Sequence, residues 1–359
     1  MSLRVLFLIL LIPTLAVCPA LCQDEQEPSN ASAEGATTGC VIPNVPGLKW
    51  ADGMCTFIGS LNACLNFIGE KTTYQYLMGV SGVAFATRFF RDWSESSADA
   101  ALNDDHPKAA MEAVGYSYTW ATSGQPGPII ESIDRGAPAV GANLSGHGDW
   151  GIIAGYERSG ETWLTRTYYD RSSAHSIADK TPYAVLVIGR KGKVPTTAEN
   201  VRKSIKLAVE FGKGERKLDA KYAVGFEAYT AWIDALRSKR CQELTGKELE
   251  KVAYINAWLY NSLIDARHAG VAHLSWAAKT LQGEARAHCE RAAALYQEQI
   301  DILSGARSYV RYPQTIKDGP KWSAEMRAYQ IEALRQALEK DKAAVASLEK
   351  VLADDAEEE

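Results

Sequence analysis

Cys55 opens the stretch Cys55-Thr-Phe-Ile-Gly-Ser-Leu-Asn-Ala-Cys-Leu-Asn-Phe-Ile-Gly69, and its position suggests chemistry. Ile58, Leu61, Leu65 and Ile68 recur at helical spacing, Gly69 supplies a stop, and Ala51-Asp-Gly-Met54 reads as a turn that leaves Cys55 at the helix start. Unpaired backbone N–H groups and the positive end of the helix dipole favour a thiolate there. A thiolate so placed can attack an amide or thioester carbonyl. The same residues also fit a small buried cysteine on a core helix.

The elements that must position Cys55 follow a leader. Met1-Ser-Leu-Arg4 is a short basic start, Val5 to Val17 is apolar apart from Pro13 and Thr14, and a polar run follows Cys22. This pattern predicts a signal peptide over 1–22 and a secreted or periplasmic product. A lipoprotein signal fits less well, because Val17 precedes Cys18 and Leu21 precedes Cys22 where a small residue is wanted. Residues 23–45 read as a flexible tether. Five cysteines then remain, Cys40, Cys55, Cys64, Cys241 and Cys289, an odd number for an oxidising compartment. Pairing Cys241 with Cys289 and Cys40 with Cys64 would leave Cys55 free; the alternative is that all five stay reduced.

The 359 residues are 46% hydrophobic and 23% charged with net charge −5, which suits a globular chain of two domains. No basic stretch interleaves with aromatics, so no nucleic-acid partner is expected. The histidines are scattered, no Cys-x-x-Cys occurs, and no glycine-rich phosphate motif is present, so neither a metal nor a cofactor is expected. Nothing after the leader is apolar for long enough to span a membrane. Helices are predicted over 72–78, 107–114 and 128–133, with strands at 83–90, 116–121, 138–144, 150–156, 163–169 and 183–188. Helices first and strands later, without regular alternation, indicate an α+β arrangement.

This order, with Cys55, Phe67-Ile-Gly69, Gly151-Ile-Ile-Ala-Gly-Tyr156 and Tyr168-Tyr-Asp170, resembles the papain-like domains of bacteriocin-leader-processing peptidases. It is more similar still to the N-terminal domain of butirosin biosynthesis protein H and its relatives. The resemblance covers about 140 residues, from Trp50 to about Gly189, and its single motifs are moderately specific. It implies a papain-like domain over 46–192 followed by an all-α helical domain over 196–353, with an acidic tail at 354–359. It also implies a Cys nucleophile acting on a peptide amide or an acyl thioester, by hydrolysis or acyl transfer.

Two departures accompany the resemblance. Counting back from Gly155, the general-base position holds Asp149, and the nearest histidine is His147. A carboxylate beside a thiol disfavours the thiolate, whereas an imidazolium favours it. His147 and Asp149 project to the same face of a strand, and Gly146 and Gly148 could form a bulge that brings His147 into place. On that version His147 is the base for Cys55, and Asp149 or Asp170 orients it. Otherwise His147 is a loop residue; His175 is a second candidate. The position of the oxyanion-stabilising glutamine, six before the cysteine, holds Lys49, leaving the Cys55 backbone N–H and the Trp50 indole as donors. The competing expectation is therefore an inactive papain-like fold that binds a peptide or cell-envelope ligand.

From Thr196 onward, helices are predicted over 197–211, 225–236, 246–281, 284–309 and 323–352. Ile331, Leu334, Leu338, Val345, Leu348 and Leu352 form a heptad-like stripe interrupted by Asp341, which reads as a packing face or, alternatively, a dimer seam. Phe226 to Trp232 and Tyr254 to Tyr260 are rich in aromatics that suit either a core or the rim of a cleft.

Overall fold

The computed structural model describes residues 39–357 apart from 123, 179–181 and 316–321. The expected signal peptide and most of the expected tether lie outside the described residues. The organising strand is β5 (Trp150–Glu157), whose sequence Trp-Gly-Ile-Ile-Ala-Gly-Tyr is apolar on both faces and buried on both. Around it β3 (Tyr116–Ala121), β4 (Ala139–Ala142), β6 (Thr162–Arg166), β7 (Ser176–Ala178) and β8 (Val185–Lys191) form an antiparallel sheet in the order β3-β8-β4-β5-β6-β7.

A seventh strand, β1 (Cys40–Val41), pairs antiparallel with Tyr156 and Gly155 of β5. The tether therefore ends sooner than its composition suggests, and Ile42 and Val45 are buried. Gly155 permits this pairing, because a Cβ there would stand 2.6 Å from the Cys40 carbonyl oxygen. The predicted strand over 83–90 shrinks to β2 (Arg88–Phe90), which pairs with β9 (Tyr222–Val224). Gly82, at φ +78°, turns the chain before it, and the Phe85 and Ala86 amides both donate to the Gly82 carbonyl.

Helix α1 (Thr56–Phe67) buries Phe57, Ile58, Leu61 and Leu65 and packs on β4 and β5. Helices α2 (Tyr74–Val80), α3 (Asp105–Val114) and α4 (Gly127–Asp134) complete the sheet-bearing part. Helix α5 (Thr197–Lys213) starts at a capping box in which the Thr196 hydroxyl accepts from the Glu199 amide and Glu199 accepts from the Thr196 amide. There follow α6 (Phe226–Arg237), α7 (Lys239–Gln242), α8 (Gly246–Ala277), α9 (Gly283–Gly305) and α10 (Ala324–Glu357). The architecture is thus α+β with a large helical part, and α10 runs through most of the acidic end. No described helix is long and apolar enough to cross a membrane.

Apolar packing crosses from the sheet into the helices. One buried cluster joins Ile58 and Leu61 of α1, Ile152 of β5, Ile205 of α5, Leu274 of α8 and Leu348 of α10. A second joins Phe89 of β2 with Trp232 of α6, Tyr260 of α8 and Leu338 of α10. Each Leu or Ile so buried contributes about 1.5–3 kcal/mol. The α10 stripe is used here: Leu334, Leu338, Val345 and Leu348 are buried, and α10 packs on α9, α5 and α6 of its own chain. The seam that a dimer would need is thereby covered from within.

The expected disulfide scheme does not hold. Cys64, Cys241 and Cys289 carry free, buried thiols. Cys241 belongs to the second cluster and Cys289 to the first, where its Sγ donates to the Leu274 carbonyl at 3.5 Å.

His273 of α8 links α2 and α5. Its ring occupies the space a side chain at Gly79 would need, since a Cβ there would lie 2.0 Å from the His273 Cγ, and its Nε2 bonds Ser204 Oγ at 2.8 Å. Burial lowers its pKa from 6.5 to about 4. The folded state therefore favours neutral imidazole. The resulting stability is present above pH 6.5 and is lost as pH falls through about 4, with a limit of about 3 kcal/mol. The melting temperature should fall over that window, and His273→Asn should flatten the fall; an unchanged slope in the variant would contradict the assignment.

Candidate functional site

Cys55 is the N-cap residue of α1, with extended backbone at φ −77° and ψ 94°. The turn before it depends on Gly53, at φ +139°, where a Cβ would meet the Tyr74 ring at 2.2 Å. The Tyr74 hydroxyl accepts from the Cys55 backbone N–H at 2.9 Å and donates to Asp265 Oδ2 at 2.6 Å. The amide that could serve an oxyanion is therefore already engaged, through α2, by a carboxylate on α8.

Cys55 stands between two cavities. The larger, about 320 Å³, is lined by Cys55, Thr56, Asp99, His147, Asp149 and Trp150, with Tyr254 and Trp258 of α8 opposite. The smaller, about 50 Å³, is lined by Cys55, Met54, Thr87, Arg88, Ser262 and Asp265 among others. Burial pushes the Cys55 thiol up to about 12; Asp99 and Asp265 act in the same direction, and the Ile58 backbone N–H and Arg88 oppose them.

Of the residues expected from sequence, Cys55, His147 and Asp149 meet at the larger cavity. His147 sits at the tip of a loop in which Gly146 and Gly148 have φ +78° and +80°, and the Asn143 side chain accepts from the Gly148 amide at 2.9 Å. Its ring is exposed and lies 4.3 Å, centroid to centroid, from Tyr169. No hydrogen bond joins it to Cys55 among the described residues. Asp149 Oδ2 accepts from the Tyr169 hydroxyl at 2.5 Å, and Oδ1 stands 3.4 Å from Thr56 Oγ1. The Thr56 Oγ1 in turn accepts from the Trp150 amide at 3.1 Å, tying the α1 start to β5. Burial raises the Asp149 pKa from its ordinary value, against the lowering effect of the Tyr169 and Thr56 hydrogen bonds and of His147.

Asp170 is not among the residues lining either cavity. Its Oδ1 accepts from Thr167 Oγ1 at 2.8 Å and Ser176 Oγ at 2.7 Å, and Oδ2 lies 3.9 Å from the Arg166 guanidinium, so it braces the β6–β7 connection. His175 belongs to that connection, with its pKa lowered by burial. Lys49 is not among the lining residues. Trp50 packs its ring on Tyr168, Tyr169 and Trp258 at 4.7, 5.8 and 5.8 Å, beside the larger cavity.

Chain reading by itself missed Asp99, Arg88, Tyr74 and Asp265. Asp99 Oδ1 accepts from the Trp150 indole at 3.0 Å and the Ala101 amide at 2.8 Å. Arg88 donates to the Asp99 carbonyl at 2.8 Å and meets His106 Nε2 at 2.9 Å. His106 Nδ1 faces the Ser81 carbonyl at 2.7 Å and must donate to it, so Nε2 accepts from Arg88 and the ring is neutral. Burial, with Arg88 acting in the same direction, holds its pKa well below the ordinary value. The aromatic run from Tyr254 to Tyr260, which suited either a core or a cleft rim, supplies Tyr254 and Trp258 to the cavity wall.

No family model and no curated protein matches this chain. Among the described residues, no group of three or more His, Cys, Asp or Glu side chains is placed to hold a metal ion. The larger cavity offers a half-buried thiol, two carboxylates close to the α1 start and an aromatic wall. It can bind a small ligand with polar and aromatic contacts, and its thiol is protonated at neutral pH.

Proposed function

We propose that this chain is an exported papain-like fold whose cleft binds a ligand without an activated cysteine. The observation that carries the reading is the state of Cys55: its thiol is pushed up to about 12, and its backbone N–H is held by Tyr74. A nucleophile would need an imidazole bonded to it and a free amide for the oxyanion. By the papain-like resemblance, the register position of the base falls on Asp149.

A second reading, Cys-dependent hydrolysis or acyl transfer, draws support from Cys55, His147 and Asp149 lining one cavity. In that case Cys55 Sγ takes the acyl group, and the leaving thiol or amine takes the proton. Incubation with S-acyl N-acetylcysteamine thioesters followed by intact mass measurement separates the two. The binding reading expects no adduct. An acyl adduct mapped to Cys55 and lost in His147→Ala would replace it with the enzymatic one.

A further inference from the structure

The larger cavity is rich in carboxylates. Glu95, Asp99 and Asp149 line it, and no lysine or arginine does. Among the described residues no basic group forms a close ion pair with any of the three, although Arg88 acts on Asp99 and His147 on Asp149 through space. Arg88 lies behind Asp99, but its guanidinium bonds the Asp99 carbonyl and His106 and borders the smaller cavity instead. Burial raises the pKa of Asp99 and of Asp149, so each carboxylate gains if a cation arrives.

The remaining walls suit the same ligand. Trp150, Tyr183, Tyr254 and Trp258 line the cavity, and Tyr183 is 57% exposed. Indole and phenol faces attract ammonium and guanidinium groups, and they also pack against an apolar stem. Glu95 stands near Tyr254, as does Asp149, so carboxylates and aromatic faces converge on one space.

Resting on the reading of this cleft as the ligand site, we propose that it takes a ligand carrying an ammonium or guanidinium group on a short apolar or aromatic stem. The cation sits among Glu95, Asp99 and Asp149, and the stem lies along Trp258 and Tyr254. Ligands of the opposite charge are repelled.

The test uses the Cys55→Ala protein, so that thiol chemistry plays no part, and three probes of one shape: benzylamine, benzyl alcohol and benzoate. Calorimetric titration at low salt should show benzylamine binding at least about tenfold more tightly than benzyl alcohol, with the advantage shrinking as salt is added. Asp99→Asn and Glu95→Gln should each reduce the advantage of the amine over the alcohol. Glu95 is exposed, so its variant carries little risk to folding. Equal binding of amine and alcohol would overturn the cation proposal and leave the cleft reading standing. Tighter binding of benzoate, or no binding of benzylamine, would also overturn it. The cleft reading itself is judged separately, by the thioester experiment.

Discussion

Iodoacetamide at pH 7 is expected to label Cys55 about fiftyfold more slowly than an ordinary exposed thiol. An unperturbed thiol titrates near 8.5, so a value of about 12 lowers the thiolate fraction by about three orders of magnitude. Greater intrinsic nucleophilicity of the rarer thiolate returns roughly half of that on a logarithmic scale. The labelling rate should climb with pH without a plateau up to about pH 10, read by mass mapping of the alkylated peptide. Asp99→Asn and Asp265→Asn each remove a carboxylate that raises the thiol and should speed labelling. Asp149→His places an imidazole in the same cavity and should speed it by at least about tenfold at pH 7. Fast labelling of the unaltered protein at pH 6–7, abolished by His147→Ala, would sink the binding reading and establish an ion pair that forms in solution.

Arg267→Met is expected to destabilise the protein by about 3–5 kcal/mol, the usual effect of removing one partner from a buried ion pair. Arg267 and Asp341 are both buried and meet at 2.7 Å. Every branch of the guanidinium is used: Nε donates to Gln299 at 2.6 Å, one terminal nitrogen to the Ala84 carbonyl at 2.7 Å, and the other to Thr87 at 2.8 Å and Tyr229 at 3.1 Å. Burial opposes the Arg267 charge, and Asp341 with Tyr229 and Tyr296 together more than offset it, so the arginine stays protonated. The single change would strand Asp341 beneath α8, α9 and α6. Arg267→Met combined with Asp341→Leu should recover much of the loss, because no buried charge is then left unpaired. Urea unfolding reads both; a double variant no more stable than the single one would show that the network acts through its hydrogen bonds and not through the charge pair.

This network also shows where chain reading reached its limit. On the α10 stripe, Asp341 looks like a break in an apolar seam; in three dimensions it is the counter-ion that lets Arg267, 74 residues away, join α8 to α10 and to the 84–87 turn. The pattern of Leu334, Leu338, Val345 and Leu348 was legible because helical periodicity is local. The partner of Asp341 was not, because charge pairing across packed helices leaves no trace in spacing. Similarly, β6 and β8 were readable from apolar runs bounded by turns, while β7, three residues long, is defined only by pairing with β6.

The sequence by itself determined the local order around the site: a helix opening at Cys55, an apolar strand at 150–156, a histidine between two glycines before it, and an aromatic-rich run from Tyr254 to Tyr260. These follow from periodicity, glycine placement and the burial demanded of apolar side chains. Only the tertiary structure decided what surrounds the thiol. Tyr74, Arg88 and Asp99 come from separate elements and Asp265 from the distant α8, and it placed Asp170 in the β6–β7 connection instead of beside Cys55. A thiol's protonation depends on desolvation and on charges a few ångströms away. Which groups stand there is set by how α2 and α8 pack against the start of α1, and no stretch of adjacent residues encodes that distance.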